Sequence, residues 1–147
     1  LTDCEAGTEA ANDLCSDAIQ IAASGGVVMG NTGYASNATL LTSSCNGVRL
    51  NTIGGVWYTI TPAAGTKVLA TTCENSFFDT ELALLYGGCN EQTCVTADDN
   101  ACSSYESLSI NAEDSALAWT ADGSEYLLYV TGKQYSAGNF QLTVVIS

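Results

Sequence analysis

The chain has 147 residues, enough for one domain with a real core, and 46% of them are apolar despite a formal net charge of −13. Arg49, Lys67 and Lys133 are its only cations and it has no histidine. That composition argues against a surface that tracks nucleic acid or anionic lipid, and it removes the central group of Ser-His-Asp, Cys-His and most zinc chemistry.

No apolar run reaches the length of a membrane span, so membrane insertion is not expected. The first residue is Leu1 and no signal peptide is visible, the expectation for a mature or trimmed product. The first dozen residues, "LTDCEAGTEAAN", lack alternation and large apolar groups. Residues 1–12 are therefore read as an arm, and residues 13–147 as a single domain. In "EAANDLCSDAIQI" the spacing of Ala10, Leu14 and Ala18 predicts a short helix. The pattern then changes to period two. "GVWYTITP" alternates Val56, Tyr58 and Ile60 against Trp57, Thr59 and Thr61, with Pro62 and Gly65 marking a turn. "KVLATTC" is a further strand. "TELALLYGG" puts Leu82, Leu84 and Tyr86 on one face and stops at Gly87-Gly88. "ESLSINA" groups Leu108 with Ile110. "SALAWTADGSEYLLYVTG" reads as a hairpin turning at Asp122-Gly123, with Tyr126, Leu128 and Val130 on one face. "GNFQLTVVIS" directs Phe140, Leu142, Val144 and Ile146 inward.

Short strands at this spacing predict an all-β fold: an antiparallel two-sheet, jelly-roll-like sandwich with a short N-terminal helix and arm. Its expected core holds Tyr58, Leu84, Leu128, Val130, Phe140 and Leu142. Trp57 and Trp119 are read as packing residues rather than ligand platforms.

Seven cysteines in an acidic, lysine-poor chain without paired CxxC motifs point to a secreted, disulfide-bonded protein. The strand pattern suggests Cys89–Cys94 across a hairpin tip, Cys73–Cys102 clamping the ends of that unit, and Cys15–Cys45 tying the helical entry to the loop before Trp57. Other connectivities remain open. Cys4 is left over on the arm: a free thiol, a cysteine whose partner was trimmed away, or one half of an intermolecular bridge.

The carboxylates Asp79, Glu81, Asp98 and Asp99 admit three readings. Asp79 and the turn Asp98-Asp99-Asn100 sit at ends of strands expected to pair, which would gather oxygen ligands for calcium, the one cofactor considered. Equally, Asp79 caps a strand entry and the turn is merely solvated. An acid/base couple needs two carboxyls across a cleft. "FDTEL" lacks the glycine of an aspartic-protease motif, since Glu81 stands there, and no second copy exists. "SNATL" offers Asn37-Ala38-Thr39 as an N-glycosylation acceptor.

In order, "NDLCSDAIQI", "GGVWYTITPAAGTKVLATTC", "FDTELALLYGGC", "CVTADDNAC" and "SEYLLYVTGKQYSAGNFQLTV" resemble the pre-peptidase C-terminal domain, and more closely its cysteine-containing relatives. The resemblance spans roughly residues 12 to 147. It implies a secreted β-sandwich that is generally not an enzyme, with some relatives binding collagen, polysaccharide or calcium. The arm carrying Cys4 departs from the family pattern. The expected function is a non-catalytic extracellular structural or adhesive sandwich, a subunit of a self-assembling filament or surface layer that meets other copies through the arm. The alternatives are a carbohydrate- or protein-binding module, with glycans as partners, and a hydrolase using the acidic cluster.

Overall fold

Alternating apolar residues become strands where each has a partner strand and a face to bury. In the computed structural model the described residues are 10–33, 35, 40–52, 54–74, 76, 78–99, 102, 115–134 and 136–147. Their strands, in chain order, are β1 (Ile19–Gln20), β2 (Gly26–Asn31), β3 (Ser44–Cys45), β4 (Val48–Arg49), β5 (Val56–Ile60) and β6 (Lys67–Thr71). There follow β7 (Thr80–Tyr86), β8 (Thr93–Asp98), β9 (Ala116–Thr120), β10 (Tyr126–Gly132) and β11 (Asn139–Ile146).

One sheet has the order β1-β5-β10-β7-β8 and the other β2-β11-β6-β9; β3 and β4 form a small ribbon. All pairings are antiparallel except β1 with β5. The expected sandwich is therefore the fold. Val56, Tyr58, Ile60, Leu82, Leu84, Leu128 and Val130 of the first sheet meet Val68, Ala70, Leu117, Phe140, Leu142 and Val144 of the second. Every residue expected in the core lies in this cluster. Tyr58 stands edge-on to Phe140 with ring centroids 6.3 Å apart.

The first sheet is buried on its outer face too. Trp57, Ala83, Leu85, Leu127 and Tyr129 pack there with Cys15, Cys45 and Leu50, beneath the chain around residues 12–18 and 40–50. Trp57 is fully buried, its ring 4.7 Å from that of Tyr129. This is why β7 and β10 read as nearly unbroken apolar runs, the pattern of strands covered on both sides.

The bridges follow from that second layer. The structure pairs Cys15 with Cys89, Cys45 with Cys94 and Cys73 with Cys102. The expected Cys15–Cys45 and Cys89–Cys94 are thus corrected. Cys94 lies opposite Leu85 on β8, so its side chain points to the outer face, where β3 presents Cys45. Cys89, on the turn after β7, reaches Cys15 in the covering segment rather than back across its own hairpin.

Two local expectations also change. The predicted helix reduces to a single 3-10 turn, Cys15–Asp17, with Leu14 already extended and 40% exposed. Pairing of Ile19 with Tyr58 pulls the chain straight, and so short a segment cannot repay helix nucleation. The predicted hairpin at Asp122-Gly123 is a corner between sheets. β9 pairs with β6, whereas β10 is flanked by β5 and β7 and has no free edge. The turn chemistry is present: the Asp122 carboxylate accepts from the Ser124 N–H at 2.9 Å and the Tyr126 hydroxyl at 3.1 Å. The strand expected around Leu108 and Ile110 lies outside the described residues, as do Cys4, Asn37 and Asn100.

Leu128 sits in the middle of β10 with no exposed surface. Leu128→Ala should lower the free energy of unfolding by about 2–5 kcal/mol in a denaturant titration. A loss below ~1 kcal/mol would mean that this position is not in the core.

Candidate functional site

Residues on β7 alternate between faces. Leu82 and Leu84 enter the core between the sheets, while Ala83 and Leu85 face outward under the covering layer. Glu81 shares the outward face but lies near the strand's start, where the cover ends. It is 3% exposed, and its Oε1 accepts the Asn51 N–H at 3.1 Å.

Asn51 is the hub of this corner. Its carbonyl accepts the Tyr129 hydroxyl at 2.7 Å. Its side-chain amide donates to the carbonyls of Gly132 at 3.0 Å and Gln134 at 2.6 Å. Gln134 is held at φ 56°, a left-handed conformation uncommon for a residue with a side chain. Gly55 belongs to the same construction, because a Cβ there would run into the Tyr129 ring.

Arg49, Leu50, Asn51, Thr52, Glu81, Lys133 and Gln134 line an open cleft of about 690 Å³. A smaller hollow of about 160 Å³ adjoins it through Asn51 and Gln134. Two of the chain's three cations therefore stand at one cleft in a strongly acidic molecule. Lys133 forms an ion pair with Asp99 at 2.9 Å. Burial pushes the Glu81 carboxyl up to about 7. The Asn51 N–H opposes that rise, Asp99 adds to it, Lys133 opposes it and Asp79 adds to it, in decreasing order. Burial also holds the Tyr129 hydroxyl well above its ordinary range.

Of the acidic residues expected to share a calcium ion, Asp79 and Asp99 both act on Lys133 and Glu81, while Asp98 is engaged elsewhere. Asp98 is the last residue of β8, and Asp99 follows it outside the strand. Asp98 lies opposite Leu82, and its Oδ2 accepts the Ala116 N–H at 3.0 Å. Asp99 turns instead to Lys133. Asp79 accepts the Lys133 N–H through its main-chain carbonyl at 2.8 Å. Among the described residues no group of three or more Cys, Asp or Glu side chains converges as metal ligands would. A calcium ion at Asp99 would compete with the ammonium of Lys133.

Sequence reading grouped Glu81 with Asp79 and Asp99, which do act on it, and missed Arg49, Asn51 and Gln134. The sequence shows that cations are scarce, but the meeting of Arg49 and Lys133 at one cleft is visible only in the fold. Nothing along the chain shows that Asn51 and Gln134, 83 residues apart, are joined by a hydrogen bond.

No family model matches the chain, and no curated protein matches it in sequence. Solved structures do resemble it. One is the pre-peptidase C-terminal domain of a collagenase from Bacillus anthracis, at TM-score 0.53 and 15% identity, covering 86% of this chain and 93% of that one. Another is PliG of Aeromonas hydrophila, a periplasmic inhibitor of g-type lysozyme, at TM-score 0.52 and 11% identity, covering 88% of this chain and 96% of that one. The expected likeness to pre-peptidase C-terminal domains is met in the fold, which is what identities this low establish.

A carboxyl raised from 4.5 to about 7 by folding binds its proton more tightly in the native state. The stability it lends is complete below pH 4.5 and is lost as pH rises to about 7. Water in the cleft screens part of the effect, leaving about 1–3 kcal/mol. Glu81→Gln keeps an acceptor for Asn51 and has no charge to bury. It should match the parent's stability at pH 4 and exceed it at pH 8. Parallel denaturation curves for the two proteins across this range would contradict the raised carboxyl.

Proposed function

We propose that this chain is a non-catalytic extracellular β-sandwich that works by association, as a subunit of a self-assembling filament or surface layer. The observation that carries the reading is the edge of the second sheet. β2 pairs with β11 on one side, and among the described residues no strand pairs with its other side. Its residues Gly26–Asn31 include no charge and no proline, the usual guards of an edge strand. Val27 and Met29 are 57% and 65% exposed, with Val145 of β11 half exposed on the same face. Two bodies of net charge −13 repel one another, and an uncharged edge is where they can approach at least cost. A second copy is therefore the partner we assign to it.

Cysteine arithmetic supports the same reading. The three bridges use every cysteine but Cys4. A disulfide from Cys4 must go to a cysteine outside these 147 residues, and an oxidising medium would preserve it. Pairing of β2 with β2 would close at a dimer. Open growth needs two different surfaces, and we assign the other to the part of the arm that precedes Ala10, since Ala10 and Asn12 pack on this chain's own sandwich.

The cleft favours a second reading, a carbohydrate- or protein-binding module. A hydrolase is the weaker alternative. Glu81 has the raised carboxyl of a general acid, but it is the single carboxyl among the described residues lining the cleft, where glycoside hydrolysis uses two.

Non-reducing electrophoresis of native material should show a ladder that collapses on reduction, and electron micrographs should show polymers. Met29→Lys and Val27→Lys place a charge on the open edge and should suppress assembly while changing unfolding free energy by no more than about 0.5 kcal/mol. A chain that stays monomeric at every concentration, or charged variants that assemble as the parent does, would end this reading.

A further inference from the structure

The cleft at Glu81 has a charge balance unlike the rest of the molecule. Lys133 is matched by Asp99, so that pair adds no net charge. Arg49 is exposed at the rim and has no ion pair among the described residues. Glu81 is the single carboxyl among the described lining residues. With Glu81 protonated, the charged side chains lining the cleft among the described residues are Arg49 and Lys133, with Asp79 and Asp99 acting from behind Lys133; ionising Glu81 adds a negative charge to the lining itself.

The polar groups are also fixed in place. Asn51 spends its N–H on Glu81 and its side-chain amide on two carbonyls, which locks the main chain at Gln134. The side chains left to face a ligand are the Arg49 guanidinium, the Thr52 hydroxyl, the Gln134 amide and the Glu81 carboxyl. A guanidinium offers two parallel donors that suit a carboxylate, and a neutral carboxyl can donate to one. Hydroxyl and amide groups suit hydroxyls. Among the described residues no aromatic ring lines the cleft, and Leu50 is its one apolar lining side chain.

We infer that this cleft binds a singly charged hydroxy acid of the sugar-acid class, its carboxylate held by Arg49 and Glu81 and its hydroxyls by Thr52 and Gln134. The site is independent of assembly, since it lies on the outer face of the first sheet and β2 is in the second.

Binding depends on the proton at Glu81, because an ionised Glu81 faces the ligand's own carboxylate. The groups around Glu81 are Asp79 before β7, Asp99 after β8, Tyr129 and Lys133 on and after β10, and Arg49 with the Asn51 N–H from the β4 side. Only the protonated form is competent, and with the carboxyl at about 7 roughly a tenth of molecules are protonated at pH 8. Apparent affinity should fall about tenfold between pH 5.5 and pH 8.

The test is titration of the whole chain with D-glucuronate at both pH values, followed by amide chemical shifts. Expected are saturable shifts at Asn51, Glu81 and Gln134 at pH 5.5, the stated weakening at pH 8, and no comparable shifts with D-glucose. Arg49→Gln should abolish binding. Lys67→Gln removes a cation that does not line the cleft and should bind as the parent does. Glu81→Gln should flatten the pH dependence, which a merely structural Glu81 would not do. An oligogalacturonide run alongside distinguishes a free acid from a unit within a chain; saturation by either supports the site. Equal response to D-glucose, unchanged binding by Arg49→Gln, equal loss in Lys67→Gln, or no saturable response to either acid would overturn it.

Discussion

The first sheet is apolar on both faces, and most of the architecture answers to that. β7 and β10 bury every residue but Tyr86. The second sheet covers one face. The other is covered by chain with little regular structure of its own, the turn at Cys15 and the β3–β4 ribbon. Such a cover has few internal hydrogen bonds to hold it in shape. Cys15–Cys89 and Cys45–Cys94 fasten it directly to the β7–β8 hairpin. Asn12 adds a polar tie, with its side-chain amide donating to the Trp57 carbonyl at 2.8 Å and its own carbonyl accepting the Trp57 N–H at 3.0 Å. Large loops closed in this way restrict the unfolded chain, which is how each bridge typically contributes ~2–4 kcal/mol.

The cleft is a by-product of where the cover stops. Leu50 still packs on the outer face, and one residue later Asn51 turns its hydrogen-bonding groups to the strand ends. An outward-facing side chain one step beyond Ala83 can therefore no longer be apolar and covered. Glu81 occupies that step, buried, with its proton retained to near neutrality. The position is costly for a carboxylate, and an isosteric amide would be stabler at alkaline pH. Sites that trade stability for a poised group are where binding is expected.

The inter-sheet core was legible because alternation over Val56, Tyr58 and Ile60, and over Leu128 and Val130, survives folding intact. The second layer was not. A period-two reading assigns Ala83 and Leu85 to a solvent face by default, and a strand covered on both sides has no polar face to reveal it. Missing that layer led to the wrong bridges, since Cys89 and Cys94 were placed across their own hairpin tip when each reaches into the cover. At the acidic corner, proximity in sequence misled in the opposite sense. Asp98 and Asp99 are adjacent along the chain, yet one carboxylate accepts the Ala116 N–H and the other pairs with Lys133. The contacts that make the cleft, Asn51 to Glu81 and to Gln134, span 30 and 83 residues and leave no local pattern.

The placement of the two tryptophans gives each layer its own optical reporter. Trp57 lies on β5 beneath the disulfide-fastened cover, its ring tilted against that of Tyr129, and Trp119 packs edge-on to Tyr126 against the core between the sheets, with ring centroids 5.6 Å apart. Indole emission shifts to the red when the ring gains contact with water. Trp57→Phe and Trp119→Phe chains would thus each carry a single fluorophore, one watching the cover and one watching the sandwich. Cutting the bridges loosens the first environment while leaving the second enclosed, so detachment of the outer layer becomes visible as an event distinct from melting of the fold.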